Sequence, residues 1–138
     1  MPRTDPYRAE HDQILSLLNK LEAMESQETV VSHAAAVLSL LDELTERVDS
    51  HLLAEETHLY PRLMNQPNEQ AQFAAKQFIL EMRGVGEAFH GYIKRWNNRE
   101  AIINDPKSFV NATKMMRLAL IYRIEKENTV LYPLIDRL

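Results

Sequence analysis

Apolar residues recur along this chain at steps of three and four, and charged or imidazole side chains interrupt the recurrence. Such steps place side chains on one face of an α-helix, so each apolar stripe predicts a helix with one buried face. The interruptions at His51, Glu55 and Glu127 stand where a helix that faces a core should continue with leucine or valine. Burying an unpaired charge costs several kcal/mol, so these side chains must be compensated by one another or by a bound cation.

Four stretches of the chain carry this helical pattern. Their stripes span residues 7–21, 37–58, 79–96 and 116–134, and cap or turn signals separate them at residues 5–6, 26–29, 61, 65–68 and 104–106. Four helices with short links predict an all-α fold, an up-down-up-down antiparallel four-helix bundle. The 138 residues suit one compact domain, so residues 1–138 are taken as a single bundle.

Composition narrows the function classes. Hydrophobic residues make up 45% and charged residues 26% of the chain, with three glycines, which favours helices over disorder. The net charge of −4 comes without a basic cluster, so nucleic acid is not an expected partner. The absence of cysteine excludes thiolate zinc and iron–sulfur sites, and leaves nitrogen and oxygen as metal ligands. A polar N-terminus and no apolar run of roughly 18 residues predict a soluble, cytoplasmic protein without a membrane partner.

The sequence contains an internal repeat. Residues 51–61 read HLLAEETHLYP and residues 123–133 read RIEKENTVLYP, so Glu, Thr, Leu, Tyr and Pro recur at matching places. Residues 9–14 and 88–93 share the pattern A-x-H-x-x-I. Each half of the chain is therefore interpreted as a helical hairpin, and two such hairpins are expected to pack about an approximate two-fold axis.

That symmetry predicts where the polar residues meet. It places His11 opposite His90. It places the His51/Glu55 pair opposite the Arg123/Glu127 pair. One straight helix starting after residue 67 would carry His90 too far to reach the level of His51, at about 1.5 Å per residue. We therefore expect a break near Gly84 or an overhanging first segment of this helix.

The spacing of the polar residues suits a metal site. His51 and Glu55 are four residues apart, so both side chains leave one helical face and can reach the same ion. Imidazole nitrogens and carboxylates suit iron, manganese or zinc. Two carboxylates between two cations are a common way to hold a dinuclear centre inside a four-helix bundle.

At these residues the chain resembles the hemerythrin-like, or HHE cation-binding, domain family over most of its length. The resemblance is carried by His11, residues 51–61, His90 and residues 127–133. It implies a bundle with a non-haem di-iron centre, in which histidines are terminal ligands and Glu55 and Glu127 bridge. Members of the family bind oxygen or respond to oxygen, nitric oxide or peroxide, and some help repair iron–sulfur clusters. A small diatomic or peroxide ligand is the implied partner.

The chain departs from the family where the fourth helix should supply a histidine, because that position is Arg123. A guanidinium stays protonated and has no lone pair for a metal. The predicted metal ligands are therefore His11, His51, Glu55, His90 and Glu127. They would hold one or two iron ions, with manganese or zinc as alternatives. Either a single metal binds, or Arg123 pairs with the carboxylates in a degenerate site.

Other polar residues are given lesser roles, and no catalytic residue is assigned. His58 is interpreted as a bundle-end or outer residue, Tyr60 and Tyr132 as packing groups at helix ends, and Asn128 as solvated. Helical bundles of this size often dimerise, so a homodimer is one expectation for the assembly.

Two other functions stay open. A ferritin-like di-iron oxidase or peroxidase is suggested by the Glu-x-x-His steps that end at His58 and His90. The repeat argues against it, because those steps fall on helices that are not symmetry partners. A metal-free helical scaffold would follow if the site had decayed into an ion-pair network around Arg123.

Overall fold

The computed structural model describes residues 4–138. The predicted polar N-terminus begins with residues 1–3, which lie outside the described residues. The first half of the chain forms α1 (Asp5–Glu22), α2 (Gln27–Ser32), α3 (Ala34–Ala54), a first π-turn (Glu55–Leu59) and α4 (Tyr60–Met64). The second half forms α5 (Glu69–Trp96), α6 (Arg99–Asn104), α7 (Pro106–Lys126), a second π-turn (Glu127–Leu131) and α8 (Tyr132–Asp136).

Several helix starts agree with the predicted caps. Ser26 accepts a hydrogen bond from the backbone N–H of Thr29 at the start of α2, and Asp105 accepts one from Ser108 before Pro106 opens α7. These side-chain oxygens satisfy N–H groups that have no partner inside the helix. The long second helix of the prediction is divided at residue 33, which separates α2 from α3. Of the two alternatives given for the third long helix, the break near Gly84 is wrong, because α5 runs unbroken through that residue.

Neighbouring long helices are antiparallel, because in the pairs of residues that contact each other the number rises on one helix as it falls on the other. Residues 11 and 51 meet across α1 and α3, and so do residues 13 and 47. Residues 92 and 113 meet across α5 and α7, and so do residues 81 and 122. The contacts 42–97, 49–90 and 56–83 give the same order for the second and third long helices. The all-α, up-down-up-down antiparallel bundle is therefore confirmed, with four further short helices among the described residues, α2, α4, α6 and α8.

The core consists of two apolar clusters with a polar layer between them. Val48 and Ile124 belong to the larger cluster, and Leu59 and Leu131 belong to the smaller one. Glu55 and Glu127 lie between these residues along their helices and are fully buried. The bundle thus holds its charged residues in a layer that apolar side chains close at both ends. Within residues 4–138, no helix is long and apolar enough to cross a bilayer.

Candidate metal centre

Four of the five predicted metal ligands come together in the polar layer. One ligand atom from each of His11, His51, Glu55 and Glu127 lies within 4.8 Å of the others. Their exposed fractions are between 0 and 3%. The Nε2 atoms of the two histidines lie 3.0 Å apart, at 2.8 and 3.3 Å from Glu127 Oε1, and Glu55 Oε2 lies 3.4 Å from His51 Nε2. The four side chains form a compact set of two nitrogen and two carboxylate donors.

The two histidines are oriented by hydrogen bonds on their far sides. His11 donates from Nδ1 to Asn128 Oδ1 at 2.8 Å, and His51 donates from Nδ1 to Glu10 Oε1 at 2.7 Å. Each bond turns Nε2 towards the centre of the layer. An oxygen acceptor on the far nitrogen is the usual support of a metal-binding histidine, because it fixes the tautomer and raises the basicity of the ligand. Asn128, interpreted from the sequence as solvated, is in fact half-buried and holds His11.

The negative charges of the two buried carboxylates are compensated by positively charged side chains on either side of them. Burial lowers the pKa of His51, but the hydrogen bonds that its imidazole donates to Glu127 and Glu55 outweigh burial and raise it to about 10. Burial and the charge of Glu127 raise the pKa of Glu55 to about 7. Burial acts the same way on Glu127, yet hydrogen bonds from His11 and His51 and the charge of Arg123 hold its pKa well below the usual range. A metal ion that binds here has to displace the His51 proton.

Arg123 holds the other side of both carboxylates. Its Nη2 donates to Glu55 Oε1 at 3.1 Å, and its Nε donates to Glu127 Oε2 at 3.2 Å. Two further donors go to the Met82 carbonyl at 2.6 Å and to the Tyr60 hydroxyl at 2.9 Å. The pairing of Arg123 with the carboxylates, one of the two outcomes expected from the sequence, is thus present, and it involves both carboxylates.

His90 does not join the site. Its side chain is 52% exposed, and its Nε2 lies 2.6 Å from Asp49 at the surface. The buried residue of that turn is its neighbour Phe89, which is 1% exposed. Steps of three and four allow either residue on the apolar stripe, and in the structure the buried positions of α5 are 75, 79, 82, 86, 89, 92 and 96. The expectation that His90 lies in the interior opposite His11 is wrong.

The register of the repeat explains this error. His11 binds Asn128, the residue after one buried glutamate, and Arg83 binds Glu56, the residue after the other. Arg83 is therefore the counterpart of His11 in the contact between the hairpins. His90 lies seven residues further along, two turns or about 10 Å along the helix. The shared A-x-H-x-x-I pattern matched the apolar period of the helix and not the site.

Two tyrosines at the site were interpreted from the sequence as packing groups. Tyr132 donates its hydroxyl proton to Glu55 Oε2 at 2.8 Å, and Tyr60 accepts from Arg123. On a regular α-helix a residue five places after a glutamate points about 140° away from it. Each π-turn adds a residue at this place, with backbone bonds from Tyr60 to Glu55 and from Tyr132 to Glu127, and turns the tyrosine inward. Burial and the nearby carboxylates raise the pKa of Tyr132 above its ordinary value.

The donor set fits one metal ion. Two imidazoles and two carboxylates match the preferences of iron, manganese and zinc. The oxygens Glu55 Oε2 and Glu127 Oε1 face the histidines, whereas Glu55 Oε1 and Glu127 Oε2 are bound by the guanidinium. A second ion between the carboxylates would have to displace Arg123, and α5 offers the Met82 carbonyl and Gly86 at this level. The residues fit a single ion and do not fit a pair.

A surface groove leads towards the guanidinium side of the site. It has a volume of about 420 Å³ and lies between α3 and α5. Its lining residues include Leu52, Arg83, Gly86, His90 and Arg123. Gly86 lies against Arg123, since a Cβ built on it would be 3.3 Å from Nη1. The groove therefore comes closest to the buried layer at Arg123.

Comparisons with known proteins agree with the site. The family model described as hemerythrin HHE cation binding domain matches residues 4–135, nearly the whole chain. Searches of curated proteins and of solved structures returned no match.

Proposed function

The chain belongs to the hemerythrin HHE cation-binding domain family, and on that premise we propose that it holds one non-haem iron ion and binds or senses a small molecule there. His11, His51, Glu55 and Glu127 would hold the ion. The small molecule is oxygen, nitric oxide or a peroxide. The observation that carries the proposal is the buried set of four donors, with Nε2 of both histidines turned to the carboxylates.

Iron is favoured over manganese and zinc by the family, and all three suit the donors. The ion would supply a redox-active position with an affinity for small ligands. The residues around it do the rest: Asn128 and Glu10 orient the imidazoles, and Arg123 supplies the positive charge that a second ion would otherwise bring. Apolar layers on both sides keep water from the carboxylates.

The size of the expected ligand follows from burial. The four donors are at most 3% exposed, so an organic substrate has no access to them. A diatomic molecule or a peroxide can pass between side chains that move by small amounts. The groove between α3 and α5 brings such a molecule to within one side chain, Arg123, of the carboxylates.

Metal analysis tests the proposal directly. Protein expressed with iron should contain about one ion per chain and should melt at a higher temperature than protein stripped with a chelator, because a ligand that binds only the folded state stabilises it. His51→Ala should abolish both effects. His58→Ala is the matched control, since His58 lies on the first π-turn but is exposed. Nitric oxide or peroxide added to the iron-loaded protein should then change its electronic spectrum.

Two outcomes would favour other functions. Loss of iron in the His58 variant alone would support the ferritin-like oxidase, although His58, Glu87 and His90 are all exposed and outside the buried set. No bound iron, and no change in melting temperature on adding it, would support a metal-free scaffold held by the Arg123–carboxylate network.

A further inference from the structure

The hydroxyl of Tyr132 lies in the middle of the donor set. It is 2.8 Å from Glu55 Oε2, 3.1 Å from His11 Nε2 and 3.3 Å from His51 Nε2. The side chain is fully buried, and its ring stacks on the His11 ring with 5.2 Å between centroids. An ion that reaches these three ligand atoms therefore has the phenol oxygen within the same small space.

The symmetry of the repeat gives a second, independent observation. Tyr60 stands five residues after Glu55, as Tyr132 stands five residues after Glu127, and each follows a π-turn. Tyr60 directs its oxygen to a cation, accepting a hydrogen bond from the Arg123 guanidinium at 2.9 Å. That guanidinium also binds one oxygen from each carboxylate. One half of the layer thus shows a positive charge bound by two carboxylates and a tyrosine.

We propose that Tyr132 is a fifth protein ligand of the metal ion, equivalent to Tyr60 at the guanidinium. The inference rests on the proposed function, since it assumes that an ion occupies the histidine side. The phenol O–H bond would break as its oxygen binds the ion, and its proton would leave to solvent with the proton that His51 gives up, so that Glu55 remains a carboxylate. No oxidant or reductant is needed. Oxygen donors of this kind favour ferric iron.

The test is the colour of the ferric protein. A tyrosinate bound to ferric iron gives a broad charge-transfer band in the visible range, which carboxylates and imidazoles bound to a single ion do not give. We expect this band in the protein loaded with ferric iron. Tyr132→Phe should lose the band while keeping the iron. Tyr92→Phe is the matched control, which should keep both, since Tyr92 is a buried tyrosine of the larger apolar cluster whose hydroxyl binds Thr113.

A second measurement needs no variant. Zinc has no visible absorption of its own, so zinc loading of the unaltered chain should produce the ultraviolet difference spectrum of a tyrosine that loses its proton. Helicity measured by circular dichroism checks that the phenylalanine variants are folded. Iron bound at full content without a visible band would overturn the role of Tyr132 and leave the iron site standing. A band that survives in Tyr132→Phe would do the same. No bound iron in the unaltered protein would overturn both proposals.

Discussion

The two halves of the polar layer present different cations to the same pair of carboxylates. His51 and Arg123 occupy equivalent positions in the repeat, and each lies four residues before a buried glutamate. The imidazole can release its proton and offer a lone pair, whereas a guanidinium remains charged and offers none. One half can therefore exchange its positive charge for a metal ion, and the other half carries a fixed charge.

Arg123 is held in place by its own hydrogen bonds and does not depend on a metal ion for its position. Four donors of Arg123 have acceptors, and Gly86 leaves room for its Nη1 atom. A buried arginine whose donors have these acceptors needs no metal ion to satisfy its hydrogen bonds. Arg123 thus acts as an internal counter-charge to Glu55 and Glu127.

The largest expected change is the gain of a whole ion. Arg123→His should raise the metal content from about one to about two ions per chain, because the new imidazole would join the oxygens of Glu55, Glu127 and Tyr60 that Arg123 now binds. Elemental analysis measures this. Arg117→His is the control, since Arg117 is also a buried arginine of α7 but binds Glu22 and Glu25. Unchanged metal content in the Arg123 variant would mean that the two halves differ by more than this side chain.

The next largest effect concerns stability. Glu127→Ala removes one of the two carboxylates that the halves share, and leaves His51 and Arg123 with Glu55 as the remaining carboxylate of the layer. Removing one partner of a buried charge pair costs about 3–5 kcal/mol, which urea unfolding of the metal-free protein would measure. Glu125→Ala, an exposed position in the same turn, should stay within about 0.5 kcal/mol. Equal losses for both variants would show that the carboxylate is not a buried counter-charge.

Removing His11 and removing His90 should have different effects on the affinity for a metal ion. His11→Ala should weaken binding by more than the roughly 10–100-fold typical of residues that only orient a ligand, because His11 supplies a ligand atom. His90→Ala should change the affinity by less than about twofold, since His90 binds Asp49 at the surface. Titration with ferrous iron under anaerobic conditions measures both. Similar losses in the two variants would restore His90 as a ligand.

The contrast between a titrating and a fixed cation also predicts a pH effect. The pKa of His51 is raised from 6.5 to about 10 in the folded protein. Its contribution to the stability of the metal-free protein is therefore fully present below about pH 6.5 and is lost as the pH rises through 10. The slope attributable to this group is at most about 1.4 kcal/mol per pH unit. Unfolding measured between pH 7 and 10 should show a flatter profile for His51→Gln, and superimposable slopes would contradict the role of the imidazole.

Much of the layer could be predicted from particular residues. The repeated Glu-x-x-x-Leu-Tyr-Pro run identified Glu55 and Glu127, because a carboxylate on an apolar stripe has to be compensated. Antiparallel packing then placed His11 at the level of His51, and both are now found in the set. Arg123 was recognised as a residue that cannot ligate, and its pairing with a carboxylate was one of two outcomes left open; the structure shows it paired with both carboxylates.

What sequence reasoning missed depends on backbone geometry. The inward turn of Tyr60 and Tyr132 requires a π-turn, and a regular helical wheel points both residues away. The sequence did carry a signal for the π-turns. Both tyrosines stand in the repeated run directly before a proline, and because proline cannot donate a backbone hydrogen bond, the regular helical bonding pattern is interrupted there. The error at His90 came from aligning two helices by their apolar pattern. That pattern repeats about every seven residues, so it fits equally well when one helix is shifted by seven positions and cannot fix the register.

The smallest expected effect compares two glycines of α5. A Cβ at Gly84 would meet nothing within 4 Å, so Gly84→Ala should stabilise the protein by about 0.5–1 kcal/mol through the helix propensity of alanine. A Cβ at Gly86 would lie 3.2 Å from Leu52 and 3.3 Å from Arg123 Nη1. Leu52 can shift, but Arg123 is held by its acceptors, so Gly86→Ala should gain less or lose stability. Equal gains measured by urea unfolding would mean that the guanidinium is free to move, and the contrast between a fixed and an exchangeable cation would then fail.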